Sequence, residues 1–345
     1  MKKRVEWIDV CKAFGMFFIY LGHFGAQAGL AHPWAFSFHV PLFFFISGLL
    51  ENYNKRGVWE NLKKKFLTIV LPFFFFGILM TVVQVVNENT GAHILENFAV
   101  LLKGGIRNTC VMEQSLWFLT CLFSIEVLFS LIKKLNNKPL IFILCLGLFF
   151  VSELVMDPRP ILYPGWYWNV DSALYYIVYY CSGWLAFSPL LKLLNSGKPA
   201  AVWGRRTMFL ACTFYSALLF FGKNLLSGIA AQNIFMAEIV MFLIPLPTIY
   251  MVVAVSQFFS QNLFIRKLGE NSLYLCGNET LARLLVQLVL AMAGITVTIT
   301  SPVQAYLYAG FLMVIVYKVL IPLEKPILSG IQNFLERSFR KYEEK

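Results

Sequence analysis

The chain has 345 residues, of which 59% are hydrophobic and only 14% charged, and its mean hydropathy is +0.68. A soluble domain needs far less apolar content to fill its core, so this composition excludes one and indicates an integral membrane protein. The formal charge of +11 has no nucleic-acid-binding motif beside it and reads as membrane topology and attraction to an anionic inner leaflet.

A spanning helix needs about 20 mostly apolar residues. In chain order such stretches fall at 12–30, 66–87, 116–132, 139–156, 171–190, 206–222, 233–256, 272–294 and 303–322, with a shorter one at 38–50. Strand alternation and barrel-like turn spacing are not seen, and helices satisfy their own backbone in lipid. The expected fold class is therefore an all-α integral membrane protein, a bundle of about ten transmembrane helices with an amphipathic C-terminal tail. Residues 1–323 read as one membrane domain. Residues 324–345 space Ile327, Ile331, Phe334 and Leu335 along one apolar face, as a cytoplasmic helix lying on the membrane surface would.

The basic residues agree with this layout. With the N-terminus inside, only Lys103, Arg107, Arg159 and Lys223 of the 29 lysines and arginines fall outside, and Arg283 sits within a span. The positive-inside rule then puts both termini in the cytoplasm. Residues 2–28 imitate a secretory signal, with a basic start and Ala-Gln-Ala at the end, but Asp9 and Lys12 argue against cleavage. Seven scattered cysteines without a C-x-x-C pair suggest neither a disulfide framework nor a metal site.

The first span, "WIDVCKAFGMFFIYLGHFG", carries three ionisable groups. Lys12 and His23 are eleven residues apart, which on a helix is three turns plus about 20° and a rise of about 16 Å, so they share one face with Asp9. Gly15, Gly22 and Gly29 form a second series that suits close helix approach. A snorkelling side chain is the alternative for Lys12. His23 is harder to place that way, because ionisable groups inside spans face a cavity or a partner. His39 stands just ahead of Pro41, at the outer end of the short 38–50 segment, where it either caps the helix or meets His23 at similar depth. Further acids and bases lie at or within spans: Glu113 and Glu153 near the outer face, Glu126 and Glu238 deeper, and Glu279 with Arg283 one turn on, expected to pair. Tyr163, Trp166, Tyr167 and Trp168 beside Asp171 form an aromatic outer cluster, suited to interface anchoring or to stacking a sugar ring.

Lys12 and His23 in "KAFGMFFIYLGH", followed by "FHVPLFFFISG" at 38–48 and "LWFLTCLF" at 116–123, resemble the acyltransferase 3 family of multi-span membrane acyltransferases, in particular its sugar O-acetyltransferase members. The resemblance makes His23 the family's essential histidine, Lys12 the basic residue upstream of it, and His39 and Trp117 its second and third signatures. Near "GENSLYLCGNE" many members carry a histidine where this chain has Asn278 and Glu279. The activity implied is transfer of acetyl from cytoplasmic acetyl-CoA to a hydroxyl of an envelope glycan or lipid-linked saccharide, in a bacterial plasma membrane, alongside polysaccharide-assembly proteins. Neutral imidazole suits removal of a hydroxyl proton, so His23 is the expected general base and His39 orients the acceptor or stabilises the thioester oxyanion. Lys12 is expected to meet the donor phosphates, and Trp117, Glu113, Glu153, Trp166 and Asp171 to contact the acceptor. The competing expectation is a transporter that uses the same ionisable residues as a solute or proton path.

Overall fold

A computed structural model describes residues 5–54, 56–88, 94–107 and 115–343, and among these there is no strand. Among the described residues six helices are long and apolar enough to cross a membrane: Ala31–Glu51, Val58–Val86, Lys138–Val155, Tyr167–Asn195, Ile234–Phe258 and Pro302–Arg340. The chain is an all-helical membrane protein.

Three expected boundaries move, each for a local reason. The first expected span holds a helix over Glu6–Gly22, and the chain then turns through Gly25–Ala28 because Gly25 and Gly29 adopt φ of 58° and 60°, which a helix cannot contain. The stretch 272–294 divides at Asn278 into Ser272–Gly277 and Glu279–Met292. There the Asn278 amide donates to the Tyr274 carbonyl at 3.0 Å and to Glu324 at 2.6 Å, side-chain bonds that compete with the helical ladder. The tail from 324 is continuous with the last apolar helix, through a π-turn at Val316–Leu320 into Ile321–Glu343. Its Ile327, Ile331 and Phe334 are exposed.

The residues group into two compact units. The first comprises Met1–Tyr53, Tyr179–Ser272 and Thr298–Phe311. It contains α1 (Glu6–Gly22), α2 (Ala31–Phe36) and α3 (His39–Glu51). Its core joins Trp7, Ile8 and Cys11 of α1 to Leu42, Phe45 and Leu49 of α3 and to Ile249, Val252 and Val253 of the Pro245–Phe258 helix. Two backbone contacts set the packing distance. A Cβ on Gly48 of α3 would lie 1.9 Å from the Tyr180 carbonyl oxygen, and one on Gly183 would lie 2.0 Å from that of Phe45, so the helices cross at paired glycines. A Cβ on Gly269 would lie 1.6 Å from the Asp9 carbonyl oxygen, which brings the Leu263–Glu270 helix equally close to α1. The Gly15 and Gly22 series takes up rings instead, those of Phe43 and Phe36.

The second unit comprises Asn54–Val178, Leu273–Val297 and Leu312–Lys345. Lys65 pairs with the buried Glu126 carboxylate of the Trp117–Ile132 helix. A π-turn follows at Phe66–Val70, and Gln332 Nε2 donates to the Leu67 carbonyl within it at 2.9 Å. Glu279 and Arg283 form the expected pair at 2.9 Å.

Candidate functional site

The site grows from the C-terminal end of α1. His23 caps that helix: its backbone N–H still bonds the Ile19 carbonyl at 3.1 Å, and its half-buried ring stands where the chain leaves helical geometry. The residues after the turn fold back onto this end. His32 Nδ1 lies 2.8 Å from the Gly22 carbonyl oxygen, and the Phe36 ring covers Gly22. Phe36 also stands between two imidazoles, with ring centroids 4.7 Å from His32 and 4.9 Å from His39.

His39 is the first residue of α3, in the position Pro41 permits, and it is buried. Its Nδ1 lies 2.7 Å from the Ala35 carbonyl oxygen. A carbonyl only accepts, so Nδ1 carries a hydrogen. The fold thus brings the end of α1 and the α2–α3 corner together, with His23, His32 and His39 in one neighbourhood. His32 escaped sequence reading because it falls between the expected spans 12–30 and 38–50; its spacing from His39, seven residues or two helical turns, was the available signal.

At the other end of α1, Lys12 Nζ is 2.8 Å from the buried Asp9 carboxylate. The face shared by these residues is therefore internally neutralised one turn from its start. Arg266, on the Leu263–Glu270 helix, pairs with Glu6 at 3.1 Å, and its buried Nε has no hydrogen-bond partner among the described residues. This second cation beside α1 was also missed, since only packing brings it there.

The expected acceptor residues belong to the second unit, and Glu113 lies outside the described residues. Trp117 opens its helix with the Arg107 guanidinium 5.2 Å from the ring centroid, an arrangement that favours cation–π attraction. Arg107 Nη2 is held in turn by the carbonyls of Pro160 and Ile161, at 2.6 and 2.8 Å. Glu153 is buried, with Arg159 at 3.9 Å. Asp171 is also buried, and both its oxygens receive backbone N–H groups: Oδ2 from Gly165 and Trp166 at 2.7 and 3.0 Å, and Oδ1 from Ser172 at 2.7 Å. It therefore shapes the loop that presents Trp166, whose own side chain is 53% exposed. Next to that loop Trp168 and Asn169 adopt φ of 60° and 52°, two consecutive left-handed non-glycine residues. The Asn169 amide holds this turn through Gly104, Gly105 and Thr120.

A family model described as an acyltransferase domain matches residues 5–321. The chain belongs to the acyltransferase 3 family. No curated protein and no solved structure matches it. The family match takes in α1 from its start, the imidazole neighbourhood and the described acceptor candidates, and it ends as the Ile321–Glu343 helix begins. As a family member with long apolar helices this chain is a membrane acyltransferase, and transport, the competing expectation, is not favoured.

Proposed function

We propose that this membrane acyltransferase is an O-acetyltransferase moving acetyl from acetyl-CoA to a sugar hydroxyl of an envelope glycan or lipid-linked saccharide. The observation that carries the reading is the pair of histidines on adjoining helix ends, one of them held in orientation by a backbone carbonyl. An alcohol becomes a competent nucleophile when its proton leaves during attack. His23 takes that proton as the hydroxyl oxygen bonds the acyl carbon, and it returns the proton to sulfur as the carbon–sulfur bond breaks. The products are an ester and a free thiol, with no net proton change. His39, with Nδ1–H donated to the Ala35 carbonyl, orients the acceptor or stabilises the developing oxyanion.

Lys12 and Arg266 suit the phosphates of the donor, because one lies on α1 and the other on the helix packed against it, and Arg266 retains an orphan donor atom. Trp166 and Trp117 offer faces on which a sugar ring stacks, and Glu153 a carboxylate for its hydroxyls; Asp171 acts through the loop it holds. The distribution of basic residues supports about ten crossings with both termini in the cytoplasm of a bacterial cell, and polysaccharide-assembly proteins are the fitting neighbours.

The test uses full-length protein in liposomes with acetyl-CoA inside and saccharide acceptors outside. Acetylated product should form, and His23→Ala should lower its rate by roughly two to four powers of ten while leaving CoA binding nearly intact. Passage of an unmodified solute with no acyl transfer to any acceptor would overturn the reading.

A further inference from the structure

A cavity of ≈ 380 Å³ in the first unit stands apart from the histidines, and the acyl-transfer reading makes no use of it. It lies among α3, the Val170–Asn195 helix, the Pro199–Phe220 helix and the Pro245–Phe258 helix, and it is open along one side. Phe45, Ala186, Leu190, Leu193 and Met208 form most of its wall, and its lining is almost wholly apolar. Water gains little in such a space, whereas a hydrocarbon chain is favoured there.

The edge of the cavity is cationic. Arg205 Nη1 donates to the Leu193 carbonyl at 3.0 Å and to that of Leu194, two of the terminal carbonyls of the Val170–Asn195 helix. Leu193 and Tyr250 both line the cavity. Among the described residues, Arg205 Nε and Nη2 have no hydrogen-bond partner. Arg206 follows, its guanidinium 5.9 Å from the ring centroid of exposed Trp203, and an aromatic ring of this kind belongs at a headgroup boundary. Lys192 and Lys198 lie in the same stretch, and no acidic residue occurs between Asp171 and Glu238.

An apolar slot ending at a cationic edge matches a molecule with a long hydrocarbon chain and an anionic head. We propose that this cavity holds one acyl chain of an anionic glycerophospholipid, with the lipid phosphate at Arg205. A neutral lipid fills the slot equally well and leaves the cations unanswered, so selectivity for the anion is the distinguishing property.

The experiment is native mass spectrometry of the full chain in detergent after exposure to mixed phosphatidylglycerol and phosphatidylcholine. Wild type should retain phosphatidylglycerol preferentially. Arg205→Gln, which keeps a donor for the Leu193 carbonyl, should lower that retention roughly fivefold and bring it towards that of phosphatidylcholine. Met208→Trp, which fills the slot from the Pro199–Phe220 helix, should reduce both lipids together. If Met208→Trp elutes as aggregate, Ala186→Leu narrows the opposite wall and takes its place. Equal retention of the two lipids by wild type, retention of neither, or phosphatidylglycerol retention unaffected by filling the slot would each overturn the proposal. Acyl transfer enters none of these readouts, so the lipid site and the proposed enzymatic activity stand or fall separately.

Discussion

His39 donates its Nδ1–H to the carbonyl of Ala35 at 2.7 Å, which ties the first ring of α3 to the helix before it. Asn in this position keeps a nitrogen donor near Ala35 and loses the Nε2 atom. Gln places an amide nearer Nε2 and forfeits the bond to Ala35. His39→Asn should therefore retain the thermal midpoint and lose roughly a hundredfold or more in acetylation rate, whereas His39→Gln should lose both. A fully active His39→Asn protein would reduce this histidine to a helix cap.

Lys12 cannot be tested by single replacement, because it neutralises the buried Asp9 carboxylate 2.8 Å away. Lys12→Met should lower the thermal midpoint by stranding that charge. Adding Asp9→Asn should recover most of the stability while CoA affinity stays down by roughly tenfold, the loss expected for one charged contact. Calorimetric titration of CoA into the double variant decides the matter: affinity equal to wild type would leave Lys12 with only a structural part.

The crossing of α3 with the Val170–Asn195 helix depends on two missing side chains. Gly48→Ala and Gly183→Ala each place a methyl about where a carbonyl oxygen now sits, at 1.9 and 2.0 Å. Neither helix can yield without separating, so each should cost about 1–3 kcal/mol or more, read as a lower melting midpoint in detergent. Gly147→Ala, with open space around its Cβ, is the control and should be neutral or slightly stabilising.

Asp171 accepts backbone N–H groups of its own loop, so its replacement should act on acceptor binding indirectly. Asp171→Ala releases the Gly165 and Trp166 amides and should raise the acceptor KM several-fold while leaving the acetyl-CoA KM unchanged. Trp166→Ala should do the same. A change in donor KM instead would detach this loop from acceptor binding.

Topology is open to labelling from either side. Cysteines introduced at Lys198 and Lys223, on opposite ends of the Pro199–Phe220 helix, should react with an impermeant maleimide only from the inside and only from the outside, respectively. The reverse pattern would invert the orientation drawn from the basic residues.

Hydropathy and helical period alone determined the membrane character, the shared face of Asp9, Lys12 and His23, and the pairing of Glu279 with Arg283, because each depends on composition or on residues within a few turns of one helix. The order of the Lys12, His23, His39 and Trp117 motifs also carried the family. Tertiary structure alone decided the rest. The break at Asn278 depends on Glu324, 46 residues later in the chain. The approach of Gly48 to Tyr180, the arrival of Arg266 beside Glu6, and the fold-back of His32 onto Gly22 likewise depend on which segments meet. A sequence displays donors, acceptors and missing side chains without saying which of them face one another. Inside a helical bundle that pairing is set by backbone crossings a few ångströms wide, and no local period encodes it.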